Sequence, residues 1–177
     1  SARFGVVRIS GVQNAFDPTR ALQFAALTVE LGDGSLMTNM RNYEPNSLGY
    51  RWQAVSRDGG LTYEPAQVTT LIEPNNNGCQ GSILRYSINS AGKANLLFSN
   101  PDHGSSRRNG SIKLSSNDGR SWSRTFKYVP DNDFYSAYSD LAVLANKKVG
   151  VLFEHGHNNG KGVYFRSFEF AEIAAAL

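Results

Sequence analysis

The feature that most constrains this chain is a turn written twice. It reads Ser56-Arg57-Asp58-Gly59-Gly60-Leu61-Thr62-Tyr63, and again Ser115-Ser116-Asn117-Asp118-Gly119-Arg120-Ser121-Trp122. Each copy sets a Ser, an Asp or Asn, a Gly, a hydroxyl residue and an aromatic at the same offsets. Short polar side chains such as those of Asp58 and Asn117 bond to amides of their own turn. Gly60 and Gly119 adopt positive φ without steric cost. Tyr63 and Trp122 combine a large apolar body with a polar atom, which suits pinning a hairpin against a sheet. An ordinary hairpin turn requires only Asn-Gly or Asp-Gly. The matching Ser, hydroxyl and aromatic therefore mark a repeated supersecondary unit.

The spacing around those turns predicts an all-β chain. Helical periodicity is confined to Ala171–Leu177. Elsewhere short strand-like stretches alternate with turn signals, in three sections of one layout. The first folds Leu27–Arg41 at Gly32-Asp33-Gly34 and continues through Arg51–Val55 into the first repeated turn. The second folds Ser82–Ser99 at Asn89-Ser90-Ala91-Gly92, and Ser111–Leu114 leads into the second turn. The third folds Asp140–Phe153 at Asn146-Lys147 and is followed by Gly162–Phe170. A period of roughly 55–60 residues with about four strands is that of a propeller blade. The chain reads as one unit of about three blades, over residues 21–66, 67–130 and 131–171. Three blades do not close a propeller, and open sheet edges are an aggregation hazard. An N-terminal half, from the same precursor or from another chain, is expected to complete it.

Composition narrows the function classes. The net charge of +3 suits an anionic ligand, but the basic residues are scattered, and Arg107-Arg108 is the only adjacent basic pair before Lys147-Lys148. That distribution argues against nucleic acid. No apolar run reaches the roughly 18 residues of a membrane span. The single Cys79 excludes an internal disulfide framework. Ser1-Ala2-Arg3-Phe4 is neither an initiator methionine nor a signal peptide, as expected if a targeting segment has been removed. A secreted, lysosomal or cell-surface setting is expected over the cytoplasm. Glu154-His155-Gly156-His157 alternates like metal ligands but has no third ligand motif, so no metal is expected. The sequence contains neither a nucleophile elbow nor a Gly-rich phosphate loop opening a helix, and no cofactor is expected. His103, in a polar loop, reads as solvated.

The doubled turns resemble the Asp-boxes of sialidases, which are six-bladed propellers, and the resemblance runs in unbroken order from about residue 25 to 170. Val29–Met37 with Asn39-Met40-Arg41 is similar to the strand pair that follows the family's catalytic glutamate. Tyr50-Arg51 with Ala54-Val55-Ser56 resembles the segment of the second arginine, and Cys79–Leu84 opens a further blade. Leu97–Pro101 with Ser106-Arg107-Arg108-Asn109-Gly110 resembles the third-arginine segment. Ala137–Leu141 and Gly150–Glu154 resemble the tyrosine segment and the glutamate after it. The resemblance implies the C-terminal half of an exo-α-sialidase acting on sialylated glycoconjugates. Non-catalytic sialic-acid binding and transfer of sialic acid to another sugar are the alternatives.

What the resemblance implies for the site follows from the carboxylate on the anomeric carbon of sialic acid. Planar guanidinium groups grip a carboxylate bidentately, and Arg51 and Arg107 would be two of a three-arginine clamp. Arg108 replaces Arg107 if the register moves by one. Tyr138 would be the nucleophile, because a neutral phenol is not repelled by the substrate's carboxylate. A phenol with a pKa near 10 needs a base to activate it. Glu154 would orient an arginine of the clamp. The family's base is expected five residues before Glu30, and that position is Ala25. Glu30 lies at an odd offset and so on the opposite sheet face. Glu73, on a loop, is an outside candidate. Ala25 leaves three readings open: an inactivating substitution, a natural loss producing a lectin-like module, or a local shift of register.

Overall fold

The computed structural model describes residues 26–42, 49–75, 78–123, 125–129, 135–157 and 160–175. They build three antiparallel meander sheets and one short helix. The first sheet runs β1 (Ala26–Glu30), β2 (Leu36–Met40), β3 (Tyr50–Ser56) and β4 (Gln67–Ile72), each strand beside the next. The second runs β5 (Ser82–Ile88), β6 (Ala94–Pro101), β7 (Gly110–Ser115) and β8 (Phe126–Lys127). The third runs β9 (Tyr135–Val143), β10 (Val149–His157) and β11 (Gly160–Phe168), followed by α1 (Phe170–Ala175). No helix among the described residues is long and apolar enough to cross a membrane.

Three details differ from the sequence expectation. The first sheet extends to Ile72 rather than ending at residue 66, because the repeated turn closes a hairpin and the returning strand β4 stays beside β3. The third sheet has three strands among the described residues instead of about four. Its last strand stops at Phe168 rather than Phe170 because α1 starts there, with the Glu172 carboxylate accepting the Glu169 amide at 2.6 Å.

The two repeated turns make the same bonds. In the first, Ser56 Oγ donates to Asp58 Oδ1 at 2.8 Å and accepts Gly60 N–H at 2.8 Å, while Asp58 Oδ1 accepts Thr62 N–H at 2.9 Å. In the second, Ser115 Oγ donates to Asn117 Oδ1 at 2.9 Å and accepts Gly119 N–H at 2.9 Å, while Asn117 Oδ1 accepts Ser121 N–H at 3.0 Å. Hydrogen bonds from Thr62 and Ser56 hold the Asp58 carboxyl at about 2, below its ordinary range. The aromatics act as pins. Tyr63 packs on Met40 and Ala54, with its hydroxyl 3.1 Å from Thr38 Oγ1, and Trp122 meets Phe98 edge-on.

Blades pack face to face through two layers. Val29, Leu31 and Met37 of the first sheet meet Ala94 and Leu96 of the second. Leu97, Ile112 and Leu114 on its other face meet Leu141, Val149, Val151 and Phe153 of the third, with Ile173 of α1 added. Strand β6 is therefore apolar on both faces, as a sandwiched strand must be. The second turn also presses on the first sheet. A Cβ at Gly119, where φ is +76°, would lie 2.7 Å from the Met37 sulfur.

Asp118 ties the first two blades together. Its Oδ1 accepts Gly32 N–H at 2.9 Å and Ala94 N–H at 2.8 Å, and Lys93 Nζ lies 3.1 Å from Oδ2. Burial pushes its pKa up, but those two amides and the Lys93 ammonium outweigh burial and hold it below the ordinary value. Asp118→Ala is expected to cost about 2–4 kcal/mol, since two amides lose their acceptor. Because the folded-state pKa is lowered, this contribution is present above the unfolded pKa and is lost as pH falls through the folded one. Thermal melts from pH 7 to pH 3 check it: the gap between wild type and variant should narrow in acid.

Candidate active site

The two arginine-bearing connections and the start of β9 meet at one end of the sheets, around Cys79. Its buried thiol faces Arg107, Arg41 and Arg51, and burial pushes it up to about 11 against their pull. A thiol so held is inert. The Cys79 backbone lies close because Gly78 precedes it. At φ +56°, a Cβ there would sit 2.7 Å from Asn42 O and 2.9 Å from the Arg41 Cγ.

Arg51 lies beneath this surface. It is 0% exposed and sits where the β3–β4 pairing shifts register. Its Nη1 donates to Glu73 Oε2 at 2.8 Å and to Cys79 O at 2.7 Å, and its Nε donates to Asn39 Oδ1. Glu73 also accepts Asn42 N–H at 2.7 Å and Cys79 N–H at 3.2 Å. Burial pushes the Glu73 pKa up against the pull of Arg51. This placement does not suit the direct carboxylate contact expected of Arg51. A guanidinium with no exposed surface, held by the Glu73 carboxylate and the Cys79 carbonyl, does not present its fork at the surface of the described residues. Arg41, directly after β2 and 7% exposed, lies at the same rim beside Cys79. Glu73 is likewise committed to Arg51 and two amides rather than to Tyr138.

Arg107, Tyr138 and Glu154 do come together. The Arg107 Cζ lies 5.3 Å from the centre of the Tyr138 ring. Burial opposes its charge, yet the facing Cys79, Tyr135 and Tyr138 groups raise its pKa above the ordinary arginine value. Glu154 Oε2 accepts Tyr138 N–H at 3.4 Å and Tyr135 O–H at 3.3 Å. The local cause is a bulge. The β9–β10 register passes from Phe153↔Ser139 to His155↔Ser136, so Ala137 and Tyr138 together oppose Glu154. Bulges re-aim side chains, and Tyr138 stands 41% exposed at the rim. Burial raises the Tyr135 pKa, although its bond with Arg107 works the other way. A cation over one phenol, a carboxylate behind it and a second phenol bridging them can bind an anion beside a nucleophilic oxygen.

The remaining candidates lie elsewhere. The Arg108 backbone bridges to Tyr135, and it is Arg107 that covers Tyr138. His155 Nδ1 is 3.0 Å from Tyr135 O, its ring packs against Tyr164, and no group of three metal-ligating side chains occurs among the described residues. Ala25 lies outside the described residues. His103 is not simply solvated, since its Nδ1 accepts bonds within the loop that carries Arg107. Sequence reasoning passed over Arg41 and Tyr135. The position of Arg41 right after a strand was the available signal, while nothing local marks Tyr135.

The BNR repeat-like domain profile matches residues 3–151. The chain belongs to the BNR repeat-like family. This BNR-repeat chain is 36% identical over 149 residues to a sialidase of Micromonospora viridifaciens, covering 81% of the chain and 21% of that relative. It is 31% identical over 131 residues to a sialidase of Bacteroides fragilis, covering 73% of the chain and 23% of that relative. An intramolecular trans-sialidase of Ruminococcus gnavus, solved with oseltamivir carboxylate, shares 28% identity and a TM-score of 0.71, over 85% of the chain and 33% of that structure. The BNR-repeat chain thus groups with sialidases and has their blade architecture. It spans 21% and 23% of the length of the two sialidases it matches.

Proposed function

We propose that this chain supplies three blades and the tyrosine side of the active site of an exo-α-sialidase, which releases terminal α-linked sialic acids with retention. The observation that carries this reading is the Arg107 guanidinium over Tyr138 with Glu154 behind it. Arg107, with Arg41 rather than Arg51 as the second rim arginine, grips the substrate carboxylate, and Arg51 with Glu73 forms the floor. The Tyr138 phenol gives its proton to a carboxylate base supplied from outside the described residues. Its oxygen attacks the anomeric carbon as the glycosidic C–O bond breaks, and the leaving oxygen takes a proton from an acid on another blade. Water, giving a proton to the conjugate base of that acid, then attacks the same carbon, releases the sugar and returns the electron pair to the Tyr138 oxygen, which takes its proton back from the first base. Transfer to another sugar would use the same residues, and product analysis separates the two.

Further blades are part of the proposal. Leu152 (49%), Val163 (69%) and Phe165 (58%) are exposed on the outer face of the third sheet. Leu152 follows Val151 as Leu97 follows Leu96, and Leu97 is buried under a neighbouring blade. A further blade on that face would bury it in the same way.

Ala25 favours a second reading, a lectin-like protein that binds sialic acid without cleaving it. A fluorogenic sialoside assay on the longest natural polypeptide carrying these residues separates the two. Turnover supports the enzyme. Its absence, even after Ala25→Glu, leaves the lectin. Arg107→Lys is expected to weaken sialic acid binding about tenfold, because a point charge cannot reproduce the planar fork. Unchanged affinity in a titration would move the role to Arg108.

A further inference from the structure

We propose that His103 is a positioning residue for Arg107, its imidazole setting the loop that aims the guanidinium at Tyr138. This role rests on the sialic-acid reading of the site. The loop is closed at its base, where Asp102 N–H donates to Asn109 O at 3.1 Å and Asn109 Nδ2 donates to Asp102 O at 3.4 Å. Asn109 takes a φ of 58° there. The Asp102 carboxylate is itself held by Lys113 Nζ at 2.7 Å and by the Thr125 hydroxyl. The base is therefore fixed independently of the imidazole.

Inside the loop, His103 Nδ1 accepts the amides of Ser105 and Ser106, each at 3.2 Å, and lies 3.0 Å from the Ser106 hydroxyl. A ring nitrogen that accepts N–H groups carries a lone pair, which places the proton of the neutral ring on Nε2. Arg107 is the next residue. Its own carbonyl accepts Ser136 N–H at 2.9 Å, and its guanidinium reaches back to Tyr138. The arginine is thus fixed on both sides, by β9 after it and by His103 before it. Gly104 O adds a tie by accepting Asn75 N–H at 2.8 Å, next to the connection that carries Glu73. Without an acceptor at position 103, the Ser105 and Ser106 amides turn to water and the path into Arg107 loosens. A planar fork that must meet a carboxylate edge-on is sensitive to such loosening.

The experiment compares His103→Ala with His103→Asn, whose side-chain oxygen reaches the place of Nδ1. Sialic acid affinity is titrated on the longest natural polypeptide carrying these residues, with thermal melts alongside. His103→Ala should weaken binding about fivefold to tenfold with little change in melting, and His103→Asn should stay within about twofold of wild type. In an Arg107→Ala background, His103→Ala should cost nothing further. Wild-type affinity in His103→Ala, an Asn variant as weak as the Ala variant, or an undiminished loss without Arg107 would each overturn the role. A wild-type protein that does not bind sialic acid overturns the reading of the site, and this role with it.

Discussion

Tyr138→Phe is expected to lower turnover by roughly 10³-fold or more while leaving sialic acid affinity within about threefold of wild type. The two halves of this result have separate causes. The variant loses only the phenolic oxygen, the atom that would form the bond to the anomeric carbon. The ring that remains still packs under the Arg107 guanidinium, 5.3 Å from its centre, so the cation keeps its aromatic neighbour. Glu154 keeps its bond from the Tyr138 amide, which no side-chain substitution removes. A fluorogenic assay and a binding titration on the same preparation give both numbers. Wild-type turnover in the Phe variant would remove Tyr138 from the chemistry, and Tyr135 would be the next residue to test.

The second large effect is on stability. Glu73→Ala is expected to cost about 3–5 kcal/mol, because it strands the buried guanidinium of Arg51. It also removes the acceptor of the Asn42 and Cys79 amides. For a domain of this length that corresponds to a drop in melting temperature of roughly 6–20 °C. Replacing both partners by apolar residues, Arg51→Met with Glu73→Leu, should be less damaging than Glu73→Ala alone, because no unpaired charge remains. A thermal melt of the three proteins decides the order. If Glu73→Ala melts with the wild type, the buried pair is not what fixes the floor beneath Cys79.

The blade repeat was legible because it rests on local chemistry. The Ser, Asp or Asn, Gly and hydroxyl of each turn bond within eight residues of one another, so sequence spacing carries the whole geometry. Tyr138 and Glu154 were legible only through family resemblance, since the bulge that opposes them depends on how β9 meets β10. Arg51 shows what linear reading leaves out. It stands near the start of β3, as an arginine aimed at a rim would, but the register shift beside it and the carboxylate of Glu73, 22 residues away, draw it inward. Asp118 and His103 were missed for a related reason. Asp118 reaches Gly32 across a blade boundary as well as Ala94 in its own blade, and an imidazole that accepts two amides looks, in sequence, like any histidine in a polar loop.

The central claim is that a covalent bond forms between Tyr138 and sialic acid. It is tested most directly by trapping. A sialosyl fluoride with fluorine also at C3 slows breakdown of the glycosyl-enzyme, and peptide mass spectrometry then locates the adduct. The natural sequence and the Ala25→Glu variant should be treated in parallel. The adduct is expected on the peptide carrying Tyr138 in the Ala25→Glu variant, and absent after Tyr138→Phe. A protein that binds sialic acid yet carries no adduct at Tyr138 in either form would contradict the enzyme account and leave a binding protein.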